Sequence, residues 1–482
     1  MALDTLPNGF IGGFPKDPDF ISAGEASRRA REAARRASAY PPSEGFEPSN
    51  PLDEALLYGG RRPDAAPEGS FQYARDLDSG QRLAGEHPFE DIRLDAASIP
   101  DYDPRDLRWA WVEVDLSAIR HNIAETRRYL NNRSRLMAVV KADAYGHGAV
   151  EVSKAALAAG ADRLAVATVP EALALREAGL TAPIQVLSQP PAAAIPLLVD
   201  FAITPSVYEP DFAVAYGEAA DRKGMKAPFH LAVNTGMNRI GVHHRDVVEF
   251  LYQVSFHRAL QLEGTFTHFA TADCPEELEF DRQRRRFEEA ILAIRSAGFD
   301  PGIVHAANSA AIYRFPHVHY DMVRQGISLY GFHPCNETRG YVDLRPAMSV
   351  HARITDVHAV PMSEGVSYGL DYRSPGSVKI CTLPLGYADG LRVGLSGNMD
   401  VIMGGRYYRQ VGRICMDQCM FEVDMRRRAT VPAADPQVGD HVIVVGTEGA
   451  AQTTIDEMAE RLHTIHYELA IGFAQRLPRI YT

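Results

Sequence analysis

The 482-residue chain has only five cysteines (Cys274, Cys335, Cys381, Cys415 and Cys419) and two tryptophans. An odd number of widely spaced cysteines does not make a disulfide framework and fits reduced thiols in a cytosol. Cys415 and Cys419 lie four apart with no matching second pair, so no structural zinc is expected. No apolar run approaches the roughly 18 residues of a membrane span. Residues 1–20, MALDTLPNGFIGGFPKDPDF, carry acids and prolines but no basic start or apolar core, so they do not read as a secretory signal. Positive charge is also in deficit. The formal net charge is −12, which argues against general nucleic-acid or anionic-membrane binding. What is present is ordinary globular composition, 46% hydrophobic and 23% charged, in a chain long enough for two or three domains. The expectation is a soluble cytoplasmic enzyme.

Residues 1–108 stand apart as an irregular N-terminal extension, rich in proline and glycine (YPPSEGFEPSNP, YGGRRPDAAPEGS). Within it, residues 25–40 (EASRRAREAARRASAY) have helix-forming composition and five arginines. These arginines fall on several helix faces among glutamates, which favours a solvated helix over a nucleic-acid or membrane segment. From Trp109 the texture changes. AWVEVDL alternates like a strand, and Ser117 is the expected N-cap of a helix over AIRHNIAETRRYL. Eight short apolar runs then alternate with helix-length segments: RLMAVVKAD, RLAVATV, PIQVLSQ, DFAITPS, FHLAVNT, LEGTFTHFA, GIVHAAN and MVRQGISLYG. Such runs suit parallel strands buried on both faces, and eight is the number that closes a barrel. The predicted fold class is therefore α/β, a (β/α)8 TIM-type barrel over residues 109–345, with a doubly wound open sheet as the alternative. Its first strand, 109–115, is also placed to pair with the C-terminal domain. That domain, residues 346–482, loses the rhythm and reads as mainly β, with one helix near TTIDEMAERLHTI capped by Thr453 or Thr454. A cleft between the two domains is a favoured ligand site.

In a closed α/β barrel, chemistry gathers at the C-terminal ends of the strands. The first run ends in Lys141, the fifth offers Asn234 and Arg239, and the sixth His268. The seventh offers Asn308 and Ser309, and the eighth Arg324, Gly326 and Ile327. A lysine at the end of an apolar run has its amine pKa lowered by desolvation, which frees the lone pair to condense with an aldehyde; the alternative is a lysine that snorkels to the rim. Loops after strands seven and eight are common phosphate sites, to which Tyr145 can add a hydroxyl. Lysine and phosphate cradle together fit pyridoxal 5′-phosphate. His317 and His319 have strand spacing but no accompanying carboxylate or cysteine cluster, so no metal is expected.

The motifs AVVKADAYGHG, THFATAD, HAANSAA, MVRQGISLYG, EGVSYG, LPLGYADG and VGRICMDQCM occur in this order. The chain resembles the alanine racemases, fold-type III pyridoxal-phosphate enzymes, from about Trp109 to Arg479. The resemblance implies that Lys141 holds the cofactor and acts as one of two bases. Tyr368 is then the other base, delivered from the partner subunit of a homodimer. It further implies that Tyr145, Ser309, Gly326, Ile327 and Tyr467 bind the phosphate, with Asn308 beside them. Arg324 contacts the ring nitrogen with support from His268, and Arg239 faces the phenolic oxygen and borders the substrate. Met416 and Asp417 lie near the substrate carboxylate, and Tyr387 near the entrance. The implied activity is racemisation of alanine, supplying D-alanine for peptidoglycan. Two bases suit such a reaction, since inversion needs proton transfer on both faces.

One departure stands out. Many relatives carry a lysine in the strand-five motif that becomes carbamylated and orients the neighbouring arginine; here the matching position is Ala232. Arg239 is then left to a hydrogen bond from Asn234 or to a small anion such as chloride, of which the anion is preferred. The change loosens the expectation of strict alanine specificity, leaving serine or a broader set open. A fold-type III decarboxylase is the competing reaction class, but those enzymes place an acid at the ring nitrogen where this chain has Arg324. A non-catalytic single-barrel cofactor binder is the third reading, and the β domain carrying Tyr368 and Met416 argues against it.

Overall fold

The computed structural model describes residues 102–130, 134–425 and 435–482. The N-terminal extension up to residue 101, including the arginine-rich segment at 25–40, lies outside the described residues. Eight parallel strands close on themselves: Arg135–Val139, Arg163–Val166, Ile184–Val186, Ile203–Val207, Ala227–Asn234, Leu260–Phe266, Ile303–His305 and Met322–Gln325. Closure is made where Met322–Gln325 pairs with Arg135–Val139, with Arg324 opposite Met137. Short apolar runs fit here because each strand is covered by helices outside and by side chains inside. The outer helices include Leu116–Tyr129, Ala149–Ala158, Val169–Glu177 and Leu278–Ser296.

Ala110–Val114 is not a barrel strand. It pairs antiparallel with Met348–Arg353 and parallel with Arg479–Tyr481, and so belongs to the sheet of the second domain. The helix after it starts earlier than Ser117 suggested. Asp115 is the N-cap, its carboxylate accepting from the backbone N–H of Ser117 (2.7 Å) and Ala118 (3.1 Å). An ionised acid satisfies the free N–H groups of the first turn better than a hydroxyl two residues inside it.

The second domain is mainly β. Among the described residues its sheet runs through Asp356–Val360, Val378–Leu383, Cys419–Asp424, Arg406–Val411, Asp400–Met403 and His441–Glu448 to Met348–Arg353. Arg406–Val411 (RYYRQV) is too polar to read as a strand, yet it pairs on both sides, with its first residues facing solvent. Thr454 caps the helix Ile455–Arg461 through a reciprocal pair with Glu457. A second helix, His466–Gly472, was not expected from the sequence and carries Tyr467.

Candidate functional site

Lys141 lies two residues past the end of the first barrel strand, and the four residues after it are folded in an unusual way. Ala142, Asp143, Ala144 and Tyr145 have φ of 52°, 51°, 53° and 53°, a left-handed helical turn. Each L-residue there costs about 1–2 kcal/mol. The turn is held by a dense set of bonds. Ala142 N–H donates to Glu171 Oε1 (2.7 Å), and Ala149 N–H donates to Asp143 Oδ1 (2.7 Å). The buried His147 donates from Nδ1 to the carbonyls of Ala144 and Tyr145. The glycines of the AYGHG motif are required. A Cβ at Gly146 would sit 2.6 Å from the Ala470 carbonyl oxygen, and one at Gly148 would collide with the Tyr481 hydroxyl. Backbone strain of this kind concentrates at functional sites, and here it sets the base of Lys141.

Lys141 faces a cavity of about 580 Å³ at the C-terminal mouth of the barrel. Tyr145, Arg239, His268, Asn308, Ser309, Arg324, Gly326, Ile327 and Tyr467 line the same cavity. Three cationic side chains, Lys141, Arg239 and Arg324, meet there with one carboxylate, Asp273. Burial lowers the Lys141 pKa, the Arg239 charge lowers it further, and Glu171 opposes. Burial pushes the Tyr145 phenol up to about 12, so it stays a hydroxyl. Gly326 N–H donates to Ser309 Oγ (2.9 Å). A Cβ on Gly326 would lie 3.1 Å from the Tyr145 hydroxyl and 3.7 Å from Ser309 Oγ, filling the space between them. Hydroxyls and backbone around that small cradle are a donor set for an anionic oxygen cluster.

Arg324 is almost wholly buried and multiply anchored. Nη2 donates to the carbonyls of Thr267 and Ala306 (both 2.8 Å), with His268 Nδ1 third at 3.2 Å. Nη1 donates to His305 Nδ1 at 2.8 Å. His305 was missed by sequence reasoning, although it sits in the same HAANSAA motif as Asn308 and Ser309; its neighbours drew attention only past the strand end. Among the described residues the Arg324 Nε–H has no partner, so a donor is left for a ligand.

Arg239 is exposed, and Ala232, a buried methyl, lines the same cavity. The suggested bond from Asn234 to Arg239 is absent among the described residues. The Asn234 side chain instead closes its own turn, accepting from Gly236 and Asn238 N–H and donating to Asn238 Oδ1. A turn of five residues satisfies the amide before the arginine can.

Tyr368, Tyr387, Met416 and Asp417 do not line this cavity. They gather on the second domain. Tyr368 is 72% exposed, between Ser367 and Gly369, both at positive φ. Ser367 Oγ donates to the Arg413 carbonyl, Tyr387 N–H donates to Cys415 and Ala388 N–H to Met416. Arg476 ties Asp417 (2.6 Å) to the buried Asp389 (2.7 Å). Gly386 is obligatory, since a Cβ there would meet the carbonyls of Cys415 and Met416 at 2.4 Å.

A lysine at a barrel strand end, a cationic cavity with a hydroxyl-lined cradle and a β domain carrying exposed tyrosines define a barrel enzyme whose cavity suits an anionic ligand. The comparisons name the family. The model described as "Alanine racemase, N-terminal domain" matches residues 114–334, and "Alanine racemase, C-terminal domain" matches 347–481. The alanine racemase of Nostoc sp. is 39% identical over 77% of this chain and 95% of its own length. The solved alanine racemase from Bacillus anthracis with bound L-Ala-P is 37% identical at a TM-score of 0.72, covering 80% of this chain and 96% of that one. A histidine racemase from Leuconostoc mesenteroides subsp. sake is 30% identical at a TM-score of 0.70, covering 78% and 98%. The chain belongs to the alanine racemase family.

Proposed function

We propose that the protein interconverts L- and D-alanine using pyridoxal 5′-phosphate and two bases, as a cytoplasmic homodimer supplying D-alanine for peptidoglycan. The observation that carries this reading is the cavity in which Lys141 and Arg324 face an anion cradle made by Tyr145, Ser309 and Gly326. Bound there, the cofactor supplies an aldehyde that condenses with amines and a conjugated ring that takes up the electron pair left when the α-proton departs. Lys141 holds the cofactor, and its lowered pKa suits the amine to take and return that proton on one face. Tyr368 of the second subunit serves the other face. Its exposure on a single chain supports delivery across a dimer interface. Tyr145, Ser309, Gly326, Ile327 and Tyr467 hold the phosphate. Arg324 can only donate, so it leaves the ring nitrogen without a proton and moderates the electron demand on the substrate. Arg239 orients the phenolic oxygen, Met416 and Asp417 border the substrate carboxylate, and Tyr387 stands at the entrance.

A racemase of wider substrate range is the second reading, favoured by the small Ala232 in the lining of the cavity that also holds Arg239. Incubating the loaded enzyme with L-alanine, L-serine and L-histidine in deuterated water tests both. D-Alanine carrying α-deuterium is the expected product. Release of an amine, or return of unlabelled L-alanine, overturns the proposal; faster exchange of serine or histidine selects the second reading.

A further inference from the structure

Beneath the cavity, the barrel interior holds a line of ionisable side chains that the reaction above does not use. Arg324 Nη1 donates to Nδ1 of His305 (2.8 Å), and His305 Nε2 lies 2.7 Å from Nδ1 of His230. His230 Nε2 lies 3.2 Å from Glu263 Oε2, and Arg163 clamps both Glu263 oxygens at 3.0 and 2.8 Å. Both histidines are fully buried and Arg163 nearly so. The ends of the line dictate every proton between them. A guanidinium only donates and a carboxylate only accepts. His305 must therefore offer the Nδ1 lone pair to Arg324, which leaves its proton on Nε2. That proton points at His230 Nδ1, so the His230 proton lies on Nε2 and points at Glu263. Burial lowers the pKa of both imidazoles, which keeps them neutral. Burial would raise Glu263, but bonds from His230 and Arg163 hold its carboxyl well below the usual range.

The backbone is shaped for this line. Strand six slips register at Glu263, since Phe229 pairs with Leu262 but His230 pairs with Gly264. A bulge of this kind re-aims one side chain. Gly264 is obligatory, because a Cβ would sit 2.6 Å from the His230 ring. Phe266 stacks on His305, with centroids 5.0 Å apart and an 11° interplanar angle.

We propose that Glu263 and His230 are positioning residues for Arg324: across the barrel they fix the His305 tautomer and thereby the direction in which Arg324 presents its remaining donors. The catalytic consequence rests on the reading of Arg324 as the partner of the cofactor ring; the tautomer order does not. Glu263→Gln replaces one acceptor oxygen by an NH₂ group. The amide cannot accept from both Arg163 and His230 through two oxygens, and a reversal of His230 reverses His305 and sets N–H against N–H at Arg324.

The test is ring ¹⁵N NMR of the histidines, in cofactor-free and loaded protein, with kinetics of the same samples. In the wild type, His230 and His305 should both show the neutral Nε2–H pattern. Glu263→Gln should shift the His305 pattern, move the absorbance maximum of the bound cofactor and lower kcat about tenfold with little change in KM, the signature of a misdirected rather than a lost binding group. An Nδ1–H or doubly protonated His305 in the wild type overturns the proposal without any variant. So does a folded Glu263→Gln protein that melts lower but keeps wild-type ¹⁵N shifts and kcat. Correct tautomers in a protein that racemises nothing would refute the proposed function and leave the relay standing.

Discussion

Replacing Ala142 by glycine should leave the protein at least as stable while slowing it. Ala142 adopts φ 52°, ψ 52°, the start of the left-handed turn after Lys141, and its side chain is exposed. Removing Cβ relieves about 1–2 kcal/mol of steric strain. The added freedom of glycine in the unfolded chain costs about 0.5–1 kcal/mol. No packing is lost, so the net change lies between zero and about 1.5 kcal/mol in favour of the variant. Ala174 provides the control. It is exposed in the middle of the right-handed helix Val169–Glu177, where the same exchange should cost about 1 kcal/mol. Two chemically identical substitutions should therefore differ by about 1–2.5 kcal/mol. Thermal melting of both variants beside the parent measures the difference. Hydrogen exchange at Gly146 and Gly148 should quicken in Ala142→Gly, because the turn then has a second accessible conformation. Its kcat should fall, since the Lys141 backbone is no longer forced. If Ala142→Gly and Ala174→Gly lower the melting temperature equally, the turn is not strained and the argument fails.

Three further outcomes rest on the same geometry. Lys141→Ala and Tyr368→Phe should each be nearly inactive alone, but mixed under subunit exchange they should recover about a quarter of wild-type activity, since half the dimers then carry one intact site; no recovery refutes a shared site. His147 is held near pKa 4 by burial, against an ordinary value of 6.5. The unfolded chain takes up this proton below about pH 6.5 and the folded one only near pH 4, so as pH falls through that window the fold loses up to about 3 kcal/mol from this residue. His147→Gln should flatten the fall in melting temperature between those values, and an unchanged slope counts against the assignment. Finally, a small anion should neutralise Arg239 where Ala232 leaves room, so crystals grown in bromide should show an anomalous peak beside its guanidinium; a water there instead would exclude the anion.

The barrel was legible because its signal is a count of apolar runs, which buried parallel strands cannot hide. The cavity was legible for a related reason: Lys141, His268, Ser309 and Arg324 all lie within four residues of the C-terminal end of a barrel strand, so locating the strand ends locates the residues. What escaped were features set by local competition or by partners distant in sequence. Asp115 outcompeted Ser117 for the cap because a carboxylate two residues earlier meets two N–H groups at once. The left-handed turn has no signature, since alanine, aspartate and tyrosine all prefer right-handed backbone; only the glycines at 146 and 148 hinted at crowding, and their neighbours, Ala470 and Tyr481, lie more than three hundred residues away. Helix His466–Gly472 is too short for a clear apolar period. His305 and His230 looked like ordinary strand residues until closure turned their side chains towards one another.

That closure also bears on why the interior is polar. Alternate strands of an eight-stranded barrel contribute successive layers of inward side chains, usually branched and apolar. Here strands two, four and six supply Arg163, Thr204 and Glu263, strands five and seven supply His230 and His305, and strand eight supplies Arg324. An Arg–Glu pair whose arginine is buried and whose Glu263 side chain is 26% exposed is weak evidence of stability, because apolar residues of similar volume often do as well or better. Breaking one partner is costly, but the pair as a whole is dispensable to a fold. Its presence beneath the cavity is therefore better explained by what it holds than by what it stabilises. Each neutral imidazole transmits only a direction, donor on one side and acceptor on the other, and the direction ends at the guanidinium that faces the ligand. A barrel repacked with Arg163→Met and Glu263→Leu loses the ion pair as a unit but leaves the buried His230 Nε2–H without its acceptor, so its melting temperature should fall less than that of either single variant. If it also kept full kcat, the polar layers would be incidental to catalysis.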